Sequence, residues 1–293
     1  MNGQRLKMYD KALVIDGIKA KEFERISRNI KLLCGINMEF TEKNVTLIRA
    51  RLNPVMAENG FTSLDAFMDL VEAQDPVAIR ELIQALTTNT TQFFREIRHF
   101  TLLDKIIPEI MQEKLKMGST EIRVWCAACS SGQEVYSIAM SLLNAMEGKS
   151  VVPKILASDV DAAVLRKAKN GVYTPKEMEA VNPLFLQKYF SRRVKSNGHH
   201  ELCVKPSIKE HIRFYLHNLV DREYPFEYKF DIVFCRNVFI YFDQETINRI
   251  LGTMKSHMAK GSYLFLGHAE GMGDNIEGFT RIAPSVYRKN DKE

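Results

Sequence analysis

The chain has no long hydrophobic run. None of its apolar stretches, in 293 residues, approaches the roughly 18 needed to cross a bilayer, so no membrane insertion is expected. Its N-terminus lacks the layout of a secretory signal, because Lys7, Lys11 and Asp16 break every short apolar segment. Cysteine is scarce. The five that occur (Cys34, Cys126, Cys129, Cys203 and Cys235) are odd in number and scattered through a chain long enough to bury a core. That usage excludes a disulfide framework and suits a reducing, cytoplasmic setting. Cys126 and Cys129 form one CxxC, but zinc would want a second pair or histidines at set spacing, and none is evident. The pair is therefore read as small packing residues, and no metal is expected. The charge is only mildly positive, +5, and no Lys/Arg block is interleaved with aromatics, so nucleic acid is not an expected partner. There is no internal repeat, no Walker loop, no HExxH and no hydrolase elbow.

What is present falls into two patterns. From Ala20 to about Thr87 the periodicity is helical throughout, beginning with Phe23, Ile26, Ile30 and Leu33 on one face. A second helix is expected over Glu42 to Leu52 behind Thr41, with Pro54 interrupting or kinking the pattern there. Ser63 introduces a third and Pro76 a fourth, a set that packs as a small bundle. The polar run Thr87 to Thr91 marks the exit, and Phe93, Phe94, Ile97 and Phe100 follow at helical spacing. From Ile122 the pattern becomes alternating strand and helix, which implies a parallel sheet. Strands are expected at Arg123–Cys126, Lys154–Ser158, Ile212–Leu216, Phe230–Cys235 and Ser262–Leu266, with a last one near Ser285–Arg288. Helices are expected at Gly132–Asn144, Ala162–Asn170 and Glu245–His257. Between Leu186 and Ile212 short alternating apolar residues flank a turn at Ser196-Asn197-Gly198, the signature of a β-hairpin insert. The first ~20 residues, polar and irregular, are expected to be loosely ordered.

The stretch IRVWCAACSSGQEVYSIAM, Ile122 to Met140, is a buried strand, a loop of small residues and an amphipathic helix. Such a unit opens ligand sites in open α/β sheets. With one glycine the loop is not GxGxxG, which argues against hydride transfer. It also carries an acid, Glu134, where a phosphate would be repelled and an ammonium or sulfonium attracted, and that points to S-adenosylmethionine. Glu134 also has a plainer explanation, since acids are favoured in the first turn of a helix. Asp159 ends the next strand, about 25 residues later, where a carboxylate can take ribose hydroxyls; the plainer role, capping the following helix, can belong to Asp161. Arg236-Asn237 is a polar break in an apolar run from Ile232 to Phe242, and such a break must be satisfied or functional. Asn218 follows another strand and invites the same reading. Arg95 needs no explanation as a solvated helix arginine, but beside Asn89, Thr90 and Thr91 it can form a hydrogen-bonding cradle.

Five motifs in order, LTTNTTQFFRE, RVWCAACSSGQEVYSIAM, ILASDVDAAVLRKAKNGVY, FYLHNLVD and FDIVFCRNVFIYF, resemble the bacterial chemotaxis receptor methyltransferases, the CheR family, over roughly Phe23 to Arg288. The resemblance implies a Rossmann-like α/β class I S-adenosylmethionine-dependent methyltransferase domain with a small antiparallel β insert, preceded by an all-α bundle. Residues 20–86 would form the helical, receptor-docking domain, 87–104 a linker reaching the cofactor, and 105–293 the methyltransferase domain with its insert at about 187–213. The implied activity is methyl transfer to glutamate side chains on chemoreceptor cytoplasmic signalling helices, leaving S-adenosylhomocysteine. Asn89, Thr91 and Arg95 would reach the cofactor from the linker; Glu134 would bind its amino group and Asp159 its ribose. Asn218, Leu219, Asn237 and Val238 would surround the rest, with Arg95 and Tyr241 nearest the transferring methyl as catalytic residues.

Three departures qualify the resemblance. Where the family often has GEEPYS, Gly132 to Ser137 read GQEVYS, which keeps the second acid. The dense basic face of the second helix is reduced to Lys43, Arg49 and Arg51, so receptor docking is expected to use other contacts or another partner. Ser196-Asn197-Gly198-His199 lacks the Gly-x-Gly turn linked to capture of a receptor C-terminal pentapeptide, so no tight tether is expected. The competing readings are a methyltransferase of the same fold with a non-receptor substrate, and a cofactor-binding regulator without turnover.

Overall fold

The computed structural model describes residues 14–15, 18–61, 63–272 and 276–290, so the expectation for the first ~20 residues falls largely outside the described ones. The chain divides into two compact units. One runs to Thr88 and takes in Tyr241–Thr246; the other comprises Asn89–Ile240 and the chain from Ile247 onward.

The helical unit starts with a two-stranded antiparallel ribbon, β1 (Val14–Ile15) and β2 (Ile18–Lys19). Four helices follow: α1 (Ala20–Cys34), α2 (Glu42–Glu58), α3 (Leu64–Glu72) and α4 (Pro76–Leu86). Their ends obey side-chain chemistry. The hydroxyls of Thr41 and Ser63 accept from Asn44 N–H and Ala66 N–H, and the Asp75 carboxylate accepts from Val77 and Ala78 N–H ahead of Pro76. Phe23, Ile26 and Ile30 face the core as expected, but Leu33 is only half-buried and Cys34 takes its place. α2 does not stop at Leu52. Pro54 lies on its exposed side, where water can satisfy the carbonyl that loses its N–H partner, and the helix continues to Glu58. α1 and α3 are joined by Arg25, whose guanidinium pairs with Glu72 at 2.8 Å and Asp65 at 3.2 Å.

The larger unit opens with α5 (Ile97–Lys116). Its start corrects the helical reading of Phe93, Phe94, Ile97 and Phe100. Phe94 and Glu96 have positive φ, the helix begins only at Ile97, and Ile97 itself is exposed. The alternating elements are β3 (Glu121–Ala127), α6 (Gln133–Ala145), β4 (Val152–Asp159), α7 (Ala162–Asn170), β5 (Val172–Tyr173), α8 (Pro183–Tyr189), β6 (Phe190–Val194), β7 (His200–Val204), α9 (Pro206–Lys209), β8 (Ile212–Leu216), β9 (Phe230–Cys235), α10 (Gln244–Ser256), β10 (Met258–Leu266), β11 (Phe279–Ala283) and β12 (Val286–Lys289). α10 begins in the segment that belongs to the helical unit. Seven strands form one sheet in the order β11-β12-β10-β9-β3-β4-β8. The five from β10 to β8 are parallel, and β12 and β11 close the edge antiparallel. The central strand β9, FDIVFC, is buried at every position, as a parallel strand covered on both faces must be. β6 and β7 form the expected insert hairpin, and β5 joins it as a third strand.

Candidate functional site

Parallel register sets the site. Ala127 at the end of β3 lies opposite both Ser158 on β4 and Cys235 on β9, and Asp159 lies opposite Leu216 on β8. The chain segments that leave these strands therefore emerge side by side at the carboxyl edge of the sheet, where open α/β folds bind ligands.

The loop after β3 alternates its backbone hand, with Ala128, Ser130 and Gly132 at φ 54°, 50° and 97°. A Cβ on Gly132 would lie 2.7 Å from the Tyr173 hydroxyl oxygen and 2.9 Å from Ala168 Cβ, so the glycine lets the loop close against α7. Tyr173 O–H donates to Ser131 O at 2.7 Å and Ser130 O–H to Asn89 O at 2.9 Å, which fixes the loop from both sides. Cys126 and Cys129 are buried, and burial raises both thiols well above their ordinary value, so they stay protonated and act as packing residues.

Asp159 is almost fully buried. One carboxylate oxygen accepts from Ser130 N–H at 2.8 Å and the other from Asp161 N–H at 3.0 Å. Burial raises its carboxyl to about 6, against the backbone donors Asp161, Ser130 and Val160. A carboxylate has about four acceptor sites, so capacity remains for a further hydroxyl donor. Asp161 is the helix cap, accepting from Ala163 and Val164 N–H. Asn89 supports it, its side-chain amide donating to Asp161 at 2.9 Å. His217 N–H donates to Asp159 O at 2.9 Å, which brings the β8 exit to the same place. There Asn218 accepts from Val220 N–H through its own side chain, and Leu219 is buried with its carbonyl taken by the Tyr224 hydroxyl.

The second focus is Arg236, which sequence reasoning flagged only as a polar break. Its side chain is 0% exposed and lies between two carboxylates, Glu134 at 2.7 Å and Glu96 at 2.9 Å. It also donates to Arg95 O at 2.6 Å. Burial pushes Glu134 up, and Arg236 only partly restrains it. Glu96 is also pushed up by burial, but Arg236 and the neighbouring donors outweigh this and leave it below the ordinary value. Burial would lower Arg236 itself; the two carboxylates reverse this and raise it. Asn237 has φ 61° and is held by Glu270, a buried carboxylate that also accepts from Gly267 and Phe239 N–H. A Cβ on Gly267 would meet Asn237 Nδ2 and Glu270 Oε2, each at 2.6 Å, so this crossing also needs its glycine. Sequence reasoning missed Glu96 and Glu270. The signal was the Arg236-Asn237 break, which demanded buried partners without naming them.

Of the expected site residues, Asn89 and Asp159 fall in the first of these networks, Asn218 and Leu219 on the β8 exit beside it, and Glu134, Asn237 and the Arg95 backbone around Arg236 and Glu270, all within one unit. Thr91 and Val238 are half-buried in the same unit. The Arg95 side chain makes one long hydrogen bond, 3.4 Å, to Thr90 O. Tyr241 belongs to the helical unit, where its carbonyl accepts from Asn37 N–H at 2.8 Å. Lys43, Arg49 and Arg51 lie on α2 of that unit. Lys43 and Arg49 are exposed, while Arg51 donates to the carbonyls of Ala85 at 3.3 Å and Thr87 at 2.8 Å.

The donor set suits a cationic, hydroxyl-bearing cofactor. A buried aspartate with acceptor capacity left ends β4, and an acid sits in the first turn after β3. S-adenosylmethionine has both matching features, an α-ammonium group and two ribose hydroxyls. Residues 89–287 match the family described as CheR methyltransferase, SAM binding domain, and residues 21–87 match CheR methyltransferase, all-alpha domain. The chemotaxis protein methyltransferase of Borreliella burgdorferi is 37% identical over 274 residues, covering 91% of this chain and 94% of that protein. That of Escherichia coli is 35% identical over 268 residues, covering 90% and 89%. Chemotaxis protein methyltransferase 1 of Pseudomonas aeruginosa is 34% identical over 277 residues, covering 91% and 97%.

Proposed function

The chain belongs to the CheR methyltransferase family, and from that premise we propose that it transfers the methyl group of S-adenosylmethionine to glutamate carboxylates on the cytoplasmic signalling helices of chemoreceptors, the adaptation step of chemotaxis. The observation that carries the reading is the carboxyl edge of the sheet. There the buried Asp159 and the Glu134–Arg236 pair lie within the stretch that matches the family's cofactor-binding domain. No helix among the described residues is long and apolar enough to cross a membrane. We place the enzyme in the cytoplasm, acting on receptor helices that project there.

When bound, the cofactor supplies a methyl carbon activated by sulfonium and leaves as S-adenosylhomocysteine. In this reading Asp159 would hold the ribose hydroxyls and Glu134, paired with Arg236, would hold the α-ammonium group. Asn89 acts indirectly, by holding Asp161 and the Ser130 loop. Asn218, Leu219, Asn237 and Val238 line the remainder. A glutamate side chain ionises near ~4.3 and is already a nucleophile at neutral pH, so no general base is required. The protein's tasks are to align carboxylate oxygen, methyl carbon and sulfur, and to keep water away. Arg95 is assigned the orientation of a carboxylate, that of the incoming glutamate or of the cofactor, and Tyr241 its approach. Because Ser196 to His199 lack a Gly-x-Gly turn, no tight pentapeptide tether is included.

A second reading, a non-receptor protein substrate, draws on Arg51. Its bonds to Ala85 and Thr87 carbonyls leave Lys43 and Arg49 as the exposed cations of the expected docking set. The test is transfer of label from methyl-tritiated S-adenosylmethionine into chemoreceptor-containing membranes, followed by alkaline hydrolysis. Base-labile label released as methanol, lost in Arg95→Ala, supports the proposal. Tight cofactor binding without label transfer to receptors would favour the second reading.

A further inference from the structure

Beside the Arg236 network lies a cluster that methyl transfer does not use. Glu96, at the N-cap position of α5, sends no side-chain hydrogen bond to the helix it precedes. Its Oε2 lies 3.4 Å from His99 Nδ1 and 3.8 Å from His268 Nε2, and the three donor atoms lie within 4.8 Å of one another. The two imidazoles stand edge to face, with centroids 5.0 Å apart. His99 is 2% exposed, and apart from an approach to the Pro284 backbone neither of its ring nitrogens has an aligned hydrogen-bond partner. A buried imidazole in that state needs an explanation. Glu96 Oε2 is similarly placed: Arg236 is close enough to pair with it in charge but not aligned as a hydrogen bond, so a lone pair remains. His268 is half exposed and, with His99, lines a cavity of about 330 Å³ bounded by Arg98, Leu102 and residues 283–286. The cluster is therefore reachable from outside.

We propose that Glu96, His99 and His268 form a binding site for a divalent transition metal of the zinc class, with its open coordination position toward this cavity. A four-coordinate ion with bonds of about 2.0–2.1 Å needs ligand atoms roughly 3.4 Å apart; Glu96 lies 3.4 and 3.8 Å from the two imidazoles and every pair lies within 4.8 Å, so the exposed His268 has to rotate inward to close the set. One carboxylate and two imidazoles select zinc, cobalt, nickel or copper over magnesium and calcium, which prefer all-oxygen sets. Arg236 and Asn237 hold Glu96 from behind as orienting partners. The ion is a ligand of the enzyme rather than a participant in methyl transfer.

The test uses Co2+ as a spectroscopic probe on the full chain without a polyhistidine tag, in a Cys203→Ser background that removes the one thiol that is not buried. The expected result is a stoichiometric visible absorption of a four- or five-coordinate cobalt ion with nitrogen and oxygen ligands, displaced by Zn2+. Its affinity should fall at least tenfold in His268→Ala, whose side chain is exposed and whose melting temperature serves as the control for folding. Glu96→Gln, as a second variant, should weaken binding similarly. Absence of a stoichiometric spectrum up to millimolar Co2+, or the same titration in parent and His268→Ala, overturns the site.

Discussion

Replacing Arg236 by methionine removes the one cation between two carboxylates that are only 13% and 11% exposed. At the observed contact distances each pair is worth about 6 kcal/mol at an effective dielectric of 20, and most of that is offset by the cost of burying the guanidinium. What remains after the change is a pair of buried charges without a counterion, for which a loss of about 3–5 kcal/mol is expected. For a unit of this size that corresponds to a fall of roughly 6–20 °C in melting temperature. Trp125, fully buried in the larger unit with its indole N–H donating to Ser158 Oγ at 2.9 Å, supplies the fluorescence signal. The pH dependence has a defined sign. Without Arg236, Glu134 and Glu96 titrate in the folded state well above the unfolded value near ~4.3, so the ionised forms are penalised. The deficit is complete above those raised values, shrinks as pH falls through them and is gone only below the depressed value that Glu96 has in the parent. The variant should therefore lie closer to the parent at pH 5 than at pH 7.5, and a further Glu134→Gln change should recover part of the loss. A deficit below about 1 kcal/mol, or one that does not change with pH, would refute the account of Arg236 as the counterion of a buried acid pair.

Asp159→Asn should weaken S-adenosylmethionine binding by roughly 10- to 100-fold, the worth of hydrogen bonds to a charged acceptor. Because ribose hydroxyls favour the ionised carboxylate, and burial raises this group to about 6, parent affinity measured by calorimetry should decline as pH falls below 6 while the asparagine variant stays flat; equal affinities at pH 7.5 would remove Asp159 from the ribose. Gly132→Ala must place a Cβ 2.7 Å from the Tyr173 hydroxyl at φ 97°, and a cost of about 2–4 kcal/mol in thermal melting is expected. Arg51→Ala should destabilise the helical unit by about 1–2 kcal/mol through the two carbonyls it leaves at the end of α4. Arg51→Lys keeps the charge and separates the two roles: if methylation survives with lysine but not alanine at equal stability, Arg51 docks substrate.

Much of the larger unit was legible because its signals are local. β8, β9 and α7 occur at the expected residues. Their limits are written in alternation, in the Asp161 cap and in Gly171 with its left-handed φ of 60°. The start of α5 was not legible. Phe94 adopts positive φ where its N–H donates to Ser137 Oγ, and Arg95 offers its carbonyl to Arg236, 141 residues away. Helical spacing of Phe93, Phe94 and Ile97 carries no trace of either contact. The site divides the same way. Glu134, Asp159 and Asn237 could be proposed from their places at strand ends. The partners that hold Glu134 and Asn237, Arg236 and Glu270, become visible only when β3, β9 and β10 are side by side.

The assignment of Tyr241–Thr246 to the helical unit bears on how the gene can be divided. A cut after Thr88 looks like a boundary between cassettes, yet it strands a six-residue piece whose partners are upstream: Tyr241 O loses Asn37 N–H, and Asp243 loses its 2.7 Å pairing with Lys31. The front unit is thus not a detachable prefix. Grafting it from one relative onto the catalytic portion of another would have to carry the hexapeptide along, and shuffled chimeras that ignore it should be recovered less often than those that do.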